Sequence, residues 1–448
     1  MQHTNSRNLT QGSIVKNLLI FAVPYLIANF IQAMYGAVDM AIVGWFADSA
    51  GISAVSTGSQ VMQIVTSLVS GLTMGGTILI AQYFGANQKE DTTQTISTML
   101  TLFAGAAVVF TVLMLALTKP ILWLLQTPAE AFDGAVSYVS IGACGIFFIF
   151  GYNAISAMLR GLGDSQSPMI FVGIACVANI LLDLLFVGGF SMGPAGAALA
   201  TILSQGISMV LAIVYLTRRN FIFSFHWKNF KIYADKAKNL FKIGLPISLQ
   251  ETMVNISFLV IAAIVNSLGV VTSAAVGIAG KFENFAMLPA SAFSAAIASM
   301  AAQNIGAKQP DRAKKTLHTG IALSFACAMV FFGWVQLFPA SVLQIFKADN
   351  AVILAGTEYL RAFSFDFLMV AFVFCMNGFF NGCGHTSYTM ANGLVATILV
   401  RVPLAFLLSR LIPESLFGIG LAAPSASFVS IVWGIFYLRS NKWRQAKL

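Results

Sequence analysis

Residues 18–46 read LLIFAVPYLIANFIQAMYGAVDMAIVGWF, a mostly apolar run of more than twenty residues that contains one carboxylate, Asp39. A run of this length can cross a lipid bilayer as an α-helix. A charged group inside a membrane is costly, so Asp39 should face a protein interior or a water-filled cavity and not lipid. The stretch therefore predicts a transmembrane helix that carries a functional carboxylate.

The whole chain has the composition of a polytopic membrane protein. Of its 448 residues, 58% are hydrophobic and 9% are charged, whereas soluble domains have about 25% charged residues. Lipid offers the backbone no hydrogen bonds, so only helices or closed barrels can span it. Because the apolar runs are about 20 residues long, we expect an all-α bundle and not a barrel of short alternating strands.

Twelve hydrophobic segments follow one another along the chain. We predict transmembrane helices at 15–46, 52–82, 92–117, 131–159, 168–190, 193–217, 239–267, 272–302, 314–338, 351–380, 389–409 and 418–438. Twelve spans place both termini on one side. If that side is the cytoplasm, 19 of the 25 Lys and Arg residues lie in cytoplasmic segments, which the positive-inside rule favours. The net charge of +9 then reflects orientation in a membrane and not a nucleic-acid partner.

The two halves of the chain repeat each other. The motif Gly161-Leu162-Gly163-Asp164-Ser165 corresponds to Gly382-Cys383-Gly384-His385-Thr386, and from Gln82 to Met169 the offset is a constant 221. We predict an N-terminal lobe at 1–220, a cytoplasmic linker at 221–238 and a C-terminal lobe at 239–448. Two six-helix lobes of the same orientation, with a cleft between them, are typical of transporters. A channel is less favoured, because it would usually assemble identical subunits around a pore.

Five polar side chains form one predicted layer in the outer half of the membrane. Asp39, Tyr138, Asp183 and Thr201 each lie about seven or eight residues from the outer end of their helix, roughly 10 Å deep. Asn179 lies four residues before Asp183, on the same helical face. Two carboxylates in a low-dielectric site cannot both ionise cheaply, so one binds a proton or a cation compensates the pair. The layer predicts a binding site for H⁺ or Na⁺. The alternative is that each Asp only bonds locally within its own helix.

The second half lacks this layer but has other charges within its helices. Glu251, Glu283 and Asp366 are candidates for a substrate site or a second cation site, since acidic groups in a cavity attract cations. The alternative for Glu283 with Lys281, and for Arg401, is internal pairing that holds helices together. Two prolines, Pro24 and Pro246, fall inside the first and seventh helices, where each removes a hydrogen bond and permits a bend.

The sequence contains no pattern that indicates an enzyme. There is no P-loop, no GxSxG and no HExxH motif, and the four histidines have no metal-ligand spacing. None of the five cysteines forms a CxxC pair, so we expect neither a disulfide framework nor a metal site. No catalytic residue and no cofactor are predicted; the coupling ion alone, H⁺ or Na⁺, is expected to bind.

Several motifs together resemble the multidrug and toxic compound extrusion (MATE) transporters over nearly the whole chain. The matching segments are Tyr35 to Gly44, Gln82 to Ala86, Leu159 to Met169, Asn179 to Asp183, and Gly244 to Ile247. The resemblance implies twelve helices in two lobes and export of organic cations in exchange for H⁺ or Na⁺. It also implies a bacterial cytoplasmic membrane protein, which we expect to be monomeric and to act on cationic or amphipathic small molecules.

Residue by residue, the resemblance assigns the same five-residue layer to the N-lobe cation site of one prokaryotic branch. Na⁺, if it is the coupling ion, would have Asp39, Asn179, Asp183 and Thr201 as ligands. Asp366 resembles an acid that the Na⁺-coupled branch has in its tenth transmembrane helix, here predicted at 351–380. The family's acid in the seventh helix, here predicted at 239–267, falls near Val254 and Asn255, one turn after Glu251. A flippase for lipid-linked or amphipathic cargo, on the same fold, is the alternative function.

Overall fold

The hydrophobic runs form long helices, because a helix satisfies its own backbone hydrogen bonds in an apolar environment. The computed structural model describes residues 7–218, 221–345, 349–412 and 415–444. The helices of the first half are α1 (Ile14–Phe46), α2 (Ser49–Gly85), α3 (Lys89–Leu124), α4 (Ala129–Cys144), α5 (Ile146–Gly161), α6 (Gln166–Asp183) and α7 (Gly193–Arg218). Those of the second half are α8 (Ala234–Asn266), α9 (Val270–Gly306), α10 (Pro310–Leu337), α11 (Pro339–Gln344), α12 (Asn350–Gly382), α13 (Thr386–Leu394), α14 (Val402–Leu411) and α15 (Phe417–Arg439).

Eleven spans have the length and apolar character needed to cross a membrane, and the bent pair α4–α5 makes a twelfth. The bend between α4 and α5 is 48° and falls at Gly145. Within the described residues the secondary structure is helical, with no strand. The predicted all-α fold of twelve spans is therefore confirmed, whereas the break at Gly145 was not predicted.

The described chain divides into two compact units. The first consists mainly of residues Ile27–Gly244, and the second of Leu9–Leu26 together with the chain from Leu245 onward. The start of α1 thus belongs to the second unit, where Leu18 and Phe21 are buried in the hydrophobic core. The start of α8, up to Gly244, belongs to the first unit. The domain boundaries at 220 and 239 stay a prediction.

Equivalent positions of the two halves have the same backbone conformation. Gly163 and Gly384, which are 221 positions apart, both have a φ of +84°. Asn87 and Lys308, at the same offset, have φ values of 60° and 58°. These left-handed residues follow the ends of equivalent helices, where such a conformation commonly terminates a helix. The sequence repeat therefore records two copies of one helical architecture.

The first glycine of the repeated motif allows close helix packing in each copy. A Cβ added to Gly161 would lie 2.8 Å from the carbonyl oxygen of Thr77. A Cβ added to Gly382 would clash in the same way with the carbonyl oxygen of Ala298, the equivalent residue. Only glycine fits both positions without a backbone shift.

Two spans contain a π-helical segment beside a charged residue. The segment Leu184–Gly189 follows Asp183 directly, and the segment Val395–Arg401 joins α13 to α14. Such segments place an extra residue in the helix and frequently occur at functional sites. The prolines Pro24 and Pro246 lie inside α1 and α8, as expected.

Candidate functional site

One face of α1 forms a wall of a cavity in the first unit. Gln32, Tyr35, Gly36 and Asp39 line this cavity, which has a volume of about 500 Å³. Their spacing of three, four and seven residues places them on one side of a helix. Asp39 is buried, with 6% of its surface exposed. The carboxylate on the apolar helix therefore faces a protein cavity, as expected from the high free energy of a charged group in lipid.

The other walls come from α2, α4, α5 and α7, and many of the side chains they contribute are polar. The hydroxyl and amide groups on these walls are those of Ser59, Gln63, Thr66, Ser70, Tyr138, Tyr152, Asn153, Thr201 and Gln205. Neutral hydrogen-bonding groups around a single carboxylate can orient an organic molecule that has one positive charge. No Lys or Arg lines this cavity in the described part of the chain.

The five predicted site residues occupy two positions relative to the cavity. Asp39, Tyr138 and Thr201 are on its wall. Asn179 and Asp183, near the end of α6, are fully buried and do not line it. Asp183 nevertheless interacts electrostatically with Asp39, and Asn179 lies beside it. The structure therefore brings a cavity-facing carboxylate next to a deeper one.

Several buried oxygen atoms of this group have no hydrogen-bond partner in the described chain. Oδ1 of Asp39, both carboxylate oxygens of Asp183, Oδ1 of Asn179 and Oγ1 of Thr201 are buried and accept no hydrogen bond. Buried polar atoms without partners are rare in proteins and call for an explanation. Oxygen atoms of this kind are the ligands that hard cations prefer. The donor set fits a bound proton or Na⁺.

Tyr35 and Ser204 also belong to the site, although the sequence pattern did not predict them. The hydroxyl of Tyr35 lies 3.2 Å from the hydroxyl of Ser204, and Ser204 donates a 2.8 Å hydrogen bond to the carbonyl oxygen of Thr201. Tyr35 also interacts electrostatically with Asp39 and Asp183. The signal was present in the sequence, because Tyr35 precedes Asp39 by four residues and therefore lies on the same helical face.

The family model named MatE matches this chain twice, at residues 24–185 and 246–407. Each match falls in one of the two halves, and together they cover more than half of the chain.

The chain belongs to the MatE family.

Curated relatives of this MatE chain match it along nearly their full length. The "Probable multidrug resistance protein YpnP" of Bacillus subtilis is 28% identical over 441 residues, which is 98% of each chain. The "Multidrug export protein MepA" of Staphylococcus haemolyticus is 25% identical over 410 residues, covering 90% of this chain and 88% of the relative.

Solved structures show the same MatE fold. A structure described as the outward-facing conformation of a multidrug resistance MATE family transporter aligns with a TM-score of 0.91, at 22% identity, over 99% of this chain and 100% of that one. A crystal structure of MATE in the bent conformation aligns with a TM-score of 0.91, at 22% identity, over 98% of this chain and 99% of that one.

The second half of the MatE chain has a cavity of its own. Glu283, Tyr359 and Arg401 line a volume of about 250 Å³, and Asp366 lines an adjoining one of about 140 Å³ together with Arg401. Glu283 and Asp366 are buried, with 6% and 2% of their surfaces exposed. Glu251, the third candidate acid of this half, is exposed and lines neither cavity.

Proposed function

We propose that this MatE chain is a secondary active antiporter that exports organic cations or drugs in exchange for H⁺ or Na⁺ by alternating access. The cation-coupling residues are Asp39, Tyr138, Asn179, Asp183 and Thr201. The observation that carries the proposal is the pair of carboxylates with unpartnered buried oxygens, one on the wall of a 500 Å³ cavity and one directly behind it.

The geometry supports competition between a substrate and a coupling ion. A cavity of this size can hold a drug-sized molecule, since such pockets range from about 300 to 1,000 Å³. A positively charged substrate pairs with the carboxylate of Asp39. A proton or Na⁺ at Asp39 and Asp183 removes the negative charge that holds the substrate. Because the two ligands use one carboxylate, each binds best when the other has left.

The coupling step involves α1, which holds Asp39. Pro24 interrupts the hydrogen-bond ladder of this helix and lets its two parts change their relative angle at low cost. A change of charge at Asp39 alters the interactions of the outer part of α1 and releases the substrate outward. Pro246 has the corresponding place in α8 and is proposed as the second bend.

The names of the relatives support the substrate class. YpnP is described as a probable multidrug resistance protein and MepA as a multidrug export protein. We propose that this chain acts likewise on cationic or amphipathic small molecules, in a bacterial cytoplasmic membrane and with both termini in the cytoplasm. Its cavity, with one carboxylate and neutral polar groups, fits such substrates.

Isosteric neutralisation tests the coupling residues. We expect Asp39→Asn and Asp183→Asn each to lower drug efflux from cells about tenfold or more, because each removes a charge-assisted interaction of roughly 1.5–3 kcal/mol. The measurement is energy-dependent efflux of ethidium, with expression levels matched.

Asp133→Asn is the matched control, since Asp133 is an exposed acid on α4 away from the cavity. It should leave efflux unchanged. If efflux and resistance persist in both Asp39→Asn and Asp183→Asn, these carboxylates do not couple ions to transport.

A flippase for lipid-linked or amphipathic cargo remains the alternative function on this fold. Anionic cargo needs basic groups in its binding cavity, and the first-half cavity is lined by a carboxylate. Arg401 lines the second-half cavities, but two buried acids share those walls with it. Fluorescent anionic lipid translocation in vesicles, unaffected by organic cations, would favour the flippase over the antiporter.

A further inference from the structure

The larger cavity of the second half is the repeat-equivalent of the first-half cavity. Ala198, Thr201 and Ile202 line the first, and Ile419, Ala422 and Ala423, which are 221 positions later, line the second. The other equivalent pairs that line both are Ser59 with Gly280, Met62 with Glu283, Tyr138 with Tyr359, and Gly142 with Phe363. The two halves thus contain one cavity twice, with different chemistry.

The charged residues that line the two cavities are at non-equivalent positions of the repeat. Pro24 and Pro246 give an offset of 222 in α1, so the counterpart of Asp39 is Ile261, which lines the second cavity. Its acid is instead Glu283, at the place of Met62. The second half also has a cationic side chain in this region. Arg401 is the repeat-equivalent of Ile180, which directly follows Asn179 in the chain. The second copy therefore carries its own positive charge.

Arg401 is buried but has no close ion pair. It is 7% exposed, its guanidinium lies 4.1 Å from the centre of the Phe258 ring, and its Nε has no hydrogen-bond partner. In the described chain, no carboxylate oxygen lies within 4.0 Å of it. Oε1 of Glu283 is likewise buried without a partner. Both residues line the same 250 Å³ cavity.

Arg401 lies between two acids and forms a close ion pair with neither of them. It lines the 250 Å³ cavity with Glu283 and the 140 Å³ cavity with Asp366. Phe258 lines both cavities as well, so the guanidinium and its ring form their common wall. Asp366 accepts a 2.5 Å hydrogen bond from Ser427. A positive charge between two buried carboxylates stabilises their charged forms, as a bound cation would do at a pair of acids.

We propose that Arg401 is a resident cation: in the second-half cavity its tethered guanidinium takes the place that an exchangeable cation has in the first half. Glu283 and Asp366 then bind no transported ion, and exchange is confined to Asp39 and Asp183. The proposal rests on the function proposed above for the first half, but it concerns different residues and has its own readout.

Removing the tether should create a site for a free cation. We expect purified Arg401→Ala to be stabilised by methylguanidinium or Na⁺, with a rise in Tm of about 2 °C or more at saturating concentration. The measurement is intrinsic fluorescence on heating, at constant ionic strength with N-methylglucamine as the balancing cation. Wild type should show only the rise in Tm that is due to cation binding at the first-half site, and this contribution is the same in both proteins.

Arg410→Ala is the matched control, because Arg410 also lies over a phenylalanine ring, at 4.8 Å from Phe406, but is exposed. It should respond as wild type does. The gain should disappear in Arg401→Ala combined with Glu283→Gln and Asp366→Asn. A response of Arg401→Ala no larger than that of Arg410→Ala, or one that survives neutralisation of both Glu283 and Asp366, would overturn the proposal.

A second variant covers the case in which Arg401→Ala does not fold. Arg401→Met with Glu283→Gln and Asp366→Asn removes all three buried charges, a change that buried ion pairs and triads often tolerate. It should bind the wild-type number of cations per chain, counted as ²²Na⁺ bound plus protons taken up. Loss of a bound cation would overturn the proposal. Failure of the antiport function would show instead as Asp39→Asn and Asp183→Asn leaving that number unchanged.

Discussion

Tyr35 lies one helical turn before Asp39 and connects α1 with α7. Its hydroxyl contacts Ser204 at 3.2 Å, and it interacts with Thr201 as well. We expect Tyr35→Phe to weaken the binding of the coupling ion about fivefold, because a hydrogen bond of this kind contributes about 1 kcal/mol. The measurement is the ion concentration that gives half-maximal drug efflux in proteoliposomes.

Tyr215→Phe is the control for the loss of a hydroxyl group. Tyr215 also lies on α7, but its hydroxyl bonds to Ser167 at 3.0 Å and does not line the cavity. This variant should keep the wild-type ion dependence. An equal loss in both variants would show that Tyr35 acts on stability and not on the ion site.

The sequence predicted the acids of the site better than its neutral groups. Asp39 and Asp183 were recognisable because a carboxylate in an apolar helix has few explanations. Gln63, Asn153 and Gln205 were missed, since an amide in a helix is common and only its neighbours show whether it faces a cavity. The sequence does not show that Glu283 and Arg401 line the same cavity, because these residues are far apart in the chain.

At the scale of the helix, Lys236 fixes the first turns of α8 to α2 and α3. Its Nζ lies 2.5 Å from Asp91 and 3.3 Å from the hydroxyl of Tyr83, and its side chain is 6% exposed. We expect Lys236→Met to lower stability by about 1–3 kcal/mol, because it leaves Asp91 without its partner. The measurement is Tm in detergent, with Asp91→Asn as a second variant of the pair.

Asp311→Asn provides the comparison with an exposed pair. Asp311 and Arg444 are 2.9 Å apart, but their side chains are 76% and 42% exposed. The loss of such a surface pair should cost less than about 1 kcal/mol. A larger loss from Asp311→Asn than from Lys236→Met would mean that burial of Lys236 does not determine its contribution.

Helix positions followed from hydropathy, whereas helix irregularities did not. The twelve segments were predicted because each contains an apolar run long enough to span a bilayer. The break falls at Gly145, where the side chain of Ile202 occupies the space that a Cβ would need. The π-helical segments at Leu184–Gly189 and Val395–Arg401 depend on local hydrogen-bond register. Neither feature is visible in a hydropathy pattern.

At the scale of the whole molecule, the repeat was readable from the sequence, and the placement of basic residues predicts the orientation. Lys and Arg are enriched in cytoplasmic segments, so the predicted C-terminus is cytoplasmic. We therefore expect a C-terminal green fluorescent protein fusion to fluoresce and a C-terminal alkaline phosphatase fusion to be inactive. Fluorescence per cell and phosphatase activity are compared at equal expression. Active phosphatase at the C-terminus would reverse the predicted orientation.

In the proposed mechanism, the substrate and the coupling ion compete for the carboxylates of the first half. The most direct measurement is ion release when tetraphenylphosphonium binds to the purified chain at fixed pH, followed with a pH-sensitive dye and with ²²Na⁺. We predict release of about one ion per chain, a proton or Na⁺, and none from Asp39→Asn or Asp183→Asn. Binding of tetraphenylphosphonium without release of either ion, or release that persists in both variants, would contradict the account.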